Sequence, residues 1–490
     1  MVTRYDPEGR RLPVKLDTTT NGEFEPLPLA PVHHRANRLA SEMAAVNARR
    51  RSLGRRDFLV SICGAATTLL AMNSAYAALG RTGGFYALAP EAGLDEALAK
   101  ASLEGDEFIF DVQGHFVEPN GAWLEQVPEG ARPLSFAPKT GCALAEQPGQ
   151  RSYLQCLGPD EFIKDVFKDS DTDMIVLSFV PSRRDAEPLT IEEAAATAQI
   201  IEKMEGTHRM LLHGRVNPNQ DGDLEGMDQL AENYPIAAWK TYTQWGPDGV
   251  GFYLDDDVGL AFIEKARALG VNNIAIHKGL PFGRRSYQHS LCDDIGRVAK
   301  RYPDVNFLVY HSGFVAGQPE GPYDPERNEG IDSLVRSVLE NEVANANVYA
   351  ELGSTWRFLM RDPDSAAHAL GKLFKHVGEN NVLWGTDSIW YGSPQDQIQA
   401  FRTFQIADSL QEAYGYPKIT PELRAKVFGH NAMKPYGISH DEAPMRASND
   451  RVDRERIAYR AHPDPSFRTY GPKTRREFLN LLRWSGGRHA

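Results

Sequence analysis

The residues Gln113, His115, Lys240, His277, His311, Glu351 and Asp387 could do chemistry together, because each follows or closes a short apolar run. Gln113 and His115 follow FIFDV (108–112), Lys240 closes IAAWK (236–240) and His277 closes NIAIH (273–277). His311 closes NFLVYH (306–311), Glu351 lies near the end of NVYAEL (347–352), and Asp387 closes NVLWGTD (381–387). A single histidine in an apolar run is usually a packed core residue. Three at the same end of three runs, with an aspartate from a fourth, is a pattern that packing alone does not require. Imidazoles and a carboxylate converging on one opening make a site for one borderline-soft divalent ion, zinc first and manganese second.

Placing these groups at one opening needs elements that all point the same way. MIVLSFV (174–180) and MLLHGRV (210–216) bring the apolar runs to eight. Between them lie amphipathic stretches such as IEEAAATAQIIEKME (191–205), VGLAFIEKARALG (258–270) and AAHALGKLFKHVG (366–378), with apolar residues at three- and four-residue spacing. Near-continuous apolar runs suit parallel strands covered on both faces. Strand–helix alternation repeated eight times predicts an α/β fold, a (β/α)8 TIM barrel, whose active sites lie at the carboxyl ends of the strands. An open doubly wound sheet explains the alternation but not the count, and no Gly-rich phosphate loop follows the first strand.

Composition narrows the partners. The chain has 490 residues, 41% hydrophobic and 24% charged, with a formal net charge of −12. That balance argues against nucleic acid, which calls for a basic surface; the expected partner, a small-molecule substrate, rests on the residues at the barrel mouth. The cysteines at 63, 142, 156 and 292 are too scattered for a disulfide framework or an all-cysteine zinc site, and spacing alone shows no geometry for a Cys142–Cys156 pair.

The motifs FDVQGHF, AWKTY, AIHKG, LVYHSGF, VLWGTDS and the closing FGHNAMKPYGI, in this order, resemble the metal-dependent amidohydrolase superfamily. The resemblance is to its branch that includes aminocarboxymuconate-semialdehyde decarboxylase, over about residues 107–440. It implies His115, His277 and Asp387 as metal ligands, and His311 as the catalytic imidazole beside the metal. The departure is Gln113, where the family pattern has His-x-His or Glu-x-His; a neutral amide oxygen is a poorer ligand. Gln113 ligates weakly or through water, or Glu351 supplies the missing anion, or the metal is lost and the site repurposed.

An ion with an open position lowers the pKa of a bound water towards about 7. In a hydrolase Asp387 then handles the water's proton, and protonated His311 stabilises the oxyanion. A non-oxidative decarboxylase could use the same parts on an aromatic or unsaturated acid. A non-catalytic barrel that binds a small molecule through a disabled metal site is the remaining class. Loop residues hint at a planar or carboxylate-bearing substrate: Arg284 and Arg285 could pair with a carboxylate, Trp390 could form an aromatic wall, and Lys240 and Glu351 could face the substrate.

Four segments are expected. Residues 1–50 read as an unfolded leader and 51–80 as a twin-arginine-type signal. The signal rests on Arg55-Arg56-Asp57-Phe58-Leu59, an uncharged apolar run, and Ala75-Tyr76-Ala77 before a cleavage point. The twin-arginine translocation machinery is thus an expected partner, with a periplasmic or secreted destination, or a membrane anchor if the signal is not cleaved. Residues 81–440 form the barrel. Residues 441–490 form a helical extension that packs on it or on a second subunit. The long stretch from Gly121 to Asp171 reads as a lid or a homodimer contact.

Overall fold

The computed structural model describes residues 9–126, 152–205, 208–281, 287–443, 450–465 and 467–484. All eight apolar runs form strands. After a short strand β1 (Gly84–Tyr86) come β2 (Phe110–Gly114), β3 (Met174–Leu177), β4 (Met210–Arg215) and β5 (Ile236–Tyr242). β6 (Asn273–His277), β7 (Asn306–Tyr310), β8 (Val348–Glu351) and β9 (Val382–Leu383) follow. Strands β2 to β9 form one parallel sheet in sequence order. A parallel bridge between Gly114 and Ser388, and bonds from Val112 N–H to the Trp384 carbonyl (3.0 Å) and Asp387 N–H to the Gln113 carbonyl (2.9 Å), join β9 to β2. The sheet is therefore a (β/α)8 barrel. β1 pairs antiparallel with β10 (Phe404–Ile406) outside it.

Strand alternation decides what the barrel encloses. Ile274, Ile276, Phe307, Val309, Val348 and Ala350 pack outward in the cluster that includes the surrounding helices. Ala275, Leu308, Tyr310, Tyr349 and Leu383 pack inward with Phe110, Val112, Met174 and Val176. The inward parity continues to His277 on β6 and Glu351 on β8, at the carboxyl ends of their strands. Lys240, next to outward-packed Trp239, shares it.

The amino-terminal segment corrects the expectation of an unfolded leader. Residues 9–30 run as an irregular strap against the barrel, with bends at 12–14 and 22–24, and Pro31–Arg50 form a twenty-residue helix, α1. Leu12, Val14 and Leu16 alternate along the strap and are buried, and the barrel supplies partners for the charges between them. After α2 (Arg55–Val60), the apolar run of the signal-like segment forms α3 (Ile62–Ala77). Helix α1 packs chiefly on α3. Ala36, Ala40, Ala44 and Ala48, all buried, form a small-residue stripe at four-residue spacing that lets the backbones approach. On α3, Ala66, Leu69, Met72, Ala75 and Tyr76 are buried. Among the described residues no helix is long and apolar enough to cross a membrane.

The carboxyl-terminal extension contains the helices Arg451–Ala461 and Arg475–Trp484. It meets the barrel through buried Arg209, which pairs with Asp450 and Asp453. It also meets the strap: Thr20 N–H donates to the Pro472 carbonyl (3.0 Å), Thr18 Oγ to the Lys473 carbonyl (2.7 Å) and Thr19 Oγ to Thr469 Oγ (2.7 Å). Cys156 is disulfide-bonded, while Cys63 and Cys292 are buried free thiols. Cys142, and residues 127–151 of the stretch read as a lid or dimer contact, lie outside the described residues.

Candidate functional site

The strap delivers two polar side chains to the carboxyl ends of the strands. It is fixed first at Lys15, whose N–H donates to Asp396 (3.0 Å) and whose ammonium donates to the Ser393 carbonyl (3.0 Å). Asp17 then accepts from the fully buried Arg357 guanidinium (2.6 Å). Beyond these anchors Asn21 Nδ2 donates to Asp387 Oδ2 (2.9 Å) and to a Glu23 carboxylate oxygen. The other oxygen of Glu23, Oε1, lies 2.9 Å from His277 Nε2. Phe24 packs edge-on against Phe358, 5.0 Å between centroids.

From the barrel side, parallel register sets Tyr242, His277 and Tyr310 at one level. The Tyr242 ring stacks on His277 at 4.7 Å, and the Gln244 amide contacts His277 Nδ1 at 2.8 Å. His311 follows β7 with its ring 4.5 Å from that of His277. His311 Nδ1 bonds the Gly353 carbonyl, which can only accept, so Nδ1 carries the proton and the Nε2 lone pair faces the site. On the other side of the mouth Gln113 Nε2 donates to Asp387 Oδ1 (3.0 Å), and His115 Nε2 lies 3.2 Å from the same oxygen. Ser354 Oγ also donates to Asp387.

Backbone strain is concentrated here. His311, Ser312, Ser354 and Asp387 have φ of +65°, +53°, +53° and +56°. Such conformations cost on the order of 1–3 kcal/mol each in residues other than glycine and gather at functional sites. Local bonds hold them: Thr355 Oγ donates to the His311 carbonyl (2.9 Å) and Ser312 Oγ to the Glu351 carbonyl (2.7 Å).

Electrostatics separate the acids. Burial would raise Asp387, but His115, His311 and the Ser354 hydroxyl outweigh it and hold the carboxyl below its ordinary range. Burial pushes Glu23 up to about 7, with His311 opposing and Asp387 reinforcing the shift. Burial, with the neighbouring His277 ring, takes His311 down to about 4. Burial lowers Lys240 to about 7; its ammonium sits 3.7 Å from the Tyr310 ring centroid and has no hydrogen-bond partner among the described residues.

The sequence-predicted residues fall into two groups. The structure brings His115, Gln113 and Asp387 together, and it brings His277 and His311 together. Gln113 turns its amide nitrogen, a donor, towards Asp387, and its Oε1 is buried with no hydrogen-bond partner among the described residues. Glu351 is committed to the backbone: its carboxylate accepts from His311 N–H (3.0 Å) and Gly353 N–H, which leaves it positioning these residues rather than facing a substrate. His311 is held neutral, against the expected protonated oxyanion stabiliser. Trp390 is half-buried with its ring 6.4 Å from that of His115. Arg284 and Arg285 lie outside the described residues. Asn21 and Glu23 stand in no motif of the sequence; only the contacts made by the folded strap bring them to the mouth.

The donors fit a divalent ion. Glu23, His277 and His311 offer one carboxylate oxygen and two ring nitrogens, all within 4.8 Å of one another. His311 Nε2, His115 Nδ1 and Gln113 Oε1 are buried with no hydrogen-bond partner among the described residues. Nitrogen and oxygen donors in this mixture suit zinc or manganese.

The sequence profile of a family described as amidohydrolase matches residues 159–438, more than half of the chain. No curated protein matches the sequence. Among solved structures, the chain is similar to 5-carboxyvanillate decarboxylase from Sphingomonas paucimobilis: 13% identity over 68% of this chain and 100% of that one, TM-score 0.44. It is similar to 2,6-dihydroxybenzoate decarboxylase from Rhizobium: 14% identity over 68% and 99%, TM-score 0.40. A probable 2-pyrone-4,6-dicarboxylic acid hydrolase from Acinetobacter baumannii shares 11% identity over 67% and 99%, TM-score 0.38. Likeness of that degree carries no argument about reaction or substrate.

Proposed function

The chain belongs to the amidohydrolase family, and from that premise we propose that it is a metal-dependent hydrolase of a small substrate, working at the mouth of the barrel. The observation that carries this reading is the Asp387 carboxylate in contact with His115, with the His277–His311 pair at the same mouth, where strained backbone is held by dedicated bonds. A bound divalent ion would supply Lewis acidity there, polarising a carbonyl and making water a better nucleophile. His277 would hold it; the family resemblance assigns His115 and Asp387 beside it, two residues that here contact each other.

The chain's own groups divide the proton work. Asp387 Oδ1, between Gln113 Nε2 and His115 Nε2, takes a proton from the attacking water. His311 presents its Nε2 lone pair to the mouth, because Nδ1 is committed to Gly353. Glu351 fixes the turn that presents His311. Decarboxylation is the second reading, favoured by Lys240: a buried amine near neutrality, without a hydrogen-bond partner among the described residues, suits a substrate carboxylate. Loss of carbon dioxide without incorporation of labelled water oxygen identifies that route.

The working compartment in this proposal is the periplasm. Arg55 and Arg56 before an apolar run suit the twin-arginine route, and the disulfide at Cys156 suits an oxidising compartment.

The test is elemental analysis of the full chain purified with zinc and manganese supplied, followed by a screen of aromatic acids, esters and lactones. About one equivalent of metal is expected, lost in His277→Ala. A folded barrel that retains no metal would overturn the reading.

A further inference from the structure

We infer that Glu23, carried into the barrel mouth by the amino-terminal strap, is a ligand of the divalent ion together with His277 and His311. The inference rests on the metal-dependent reading above and specifies where the ion sits: on the β6–β7 side of the mouth, where His277 and His311 lie.

Three observations carry it. First, Glu23 Oε1, His277 Nε2 and His311 Nε2 lie within 4.8 Å of one another, and the Glu23–His277 contact is 2.9 Å. Ligand atoms each about 2.1 Å from a tetrahedral ion stand ~3.4 Å apart, so small side-chain shifts close this set around one. Secondly, His311 is prepared as a ligand. Its Nδ1–H is spent on the Gly353 carbonyl, and its buried Nε2 has no hydrogen-bond partner among the described residues. A ring nitrogen fixed from behind in this way is how metal-binding histidines are oriented. Thirdly, the carboxylate is delivered rigidly. The Lys15–Asp396 and Asp17–Arg357 pairs anchor the strap before Glu23, Phe24 packs on Phe358 after it, and Asn21 binds the second carboxylate oxygen.

The arrangement also explains Gln113. An anionic or imidazole ligand at the end of the first barrel strand is dispensable if the strap supplies a carboxylate from across the mouth. Gln113 then serves as a donor that holds Asp387, and the His115–Asp387 pair is left free for proton transfer. One carboxylate and two neutral imidazoles leave a net positive charge on the ion, which preserves its Lewis acidity.

The test compares zinc and cobalt affinity, by calorimetry and by the visible spectrum of the cobalt-loaded full chain, in wild type, Glu23→Gln and His115→Ala. Glu23→Gln keeps the shape and the Asn21 contact, and its folding is checked by near-ultraviolet circular dichroism. Loss of an outer partner costs about 10–100-fold in affinity; Glu23→Gln is expected to exceed about 100-fold and to shift the cobalt bands, while His115→Ala stays within about threefold. Unchanged affinity and spectrum in Glu23→Gln would overturn the assignment. So would an equal loss in His115→Ala, which would put the ion between the two groups. A wild-type chain that binds neither ion would instead overturn the metal-dependent reading itself.

Discussion

At Asp387 two opposed effects meet. Burial favours the neutral acid, while His115, His311 and the Ser354 hydroxyl favour the carboxylate, and the second set wins. The backbone assists: φ of +56° turns the side chain into the mouth, and Asp387 N–H is held by the Gln113 carbonyl at 2.9 Å. An asparagine in this place would keep the shape and accept one proton fewer. General-base catalysis contributes about 10²–10⁴-fold, so Asp387→Asn is expected to lower kcat by that much while the circular dichroism of the barrel is unchanged. Initial rates on the first substrate found in the screen, measured beside the wild type, check it. A kcat within threefold of wild type would remove Asp387 from the proton path. His311 belongs to the same argument, since its neutral ring is a base or a ligand at pH 7 and not a cation.

The strap is the element on which the site depends, and its hold on the barrel is electrostatic at a buried point. Asp17 is buried against Arg357; burial would raise its carboxyl, but Arg357, Lys473 and two threonine hydroxyls bring it below the ordinary value. A carboxylate lowered in the folded state contributes stability that is complete above its unfolded value of about 3.9 and fades as pH falls through the folded one. The strap should therefore come loose in acid, below about pH 4, before the barrel unfolds. Removing one partner of a buried pair costs about 3–5 kcal/mol. Asp17→Asn is thus expected to speed proteolytic cutting within residues 9–30 by about a hundredfold or more at neutral pH, and to abolish the acid dependence. Mass spectrometry of limited digests across pH 3–8 reads both effects, and equal cutting of wild type and variant would show that the strap is held elsewhere. The same element marks the limit of what the sequence conveys. The eight strands are legible because buried parallel strands have a local signature, and His277, His311 and Asp387 are legible because each ends such a run. Glu23 is not, because its partner His277 is 254 residues away and no local pattern encodes a contact of that span. Helix α3 is ambiguous for another reason: a signal core and a helix buried on several sides have the same composition.

Over the whole molecule the strap and the carboxyl-terminal extension meet, residues 18–20 against residues 469–473. Thr18, Thr19 and Thr20 bond to Thr469, Pro472 and Lys473, so the carboxyl-terminal extension clamps the strap that carries Glu23. Helices α1 to α3 then link the strap to the barrel, with Ala75 and Tyr76 buried just before the peptide bond that a signal peptidase would cut. Cleavage after Ala77 requires α3 to leave its packing. It would also free residues 1–77, which include Lys15, Asp17, Asn21 and Glu23, to leave the molecule. If the ion is held by Glu23, a chain matured by that cut cannot keep it. If the chain is exported as proposed, the protein recovered is therefore expected to retain its amino-terminal segment, because the folded state shields the cut. Intact-mass measurement and elemental analysis of the same periplasmic fraction decide the matter. An uncut chain with about one equivalent of metal agrees with a strap-completed site; a chain that begins at Ala78 and still holds stoichiometric metal would show that the barrel alone suffices.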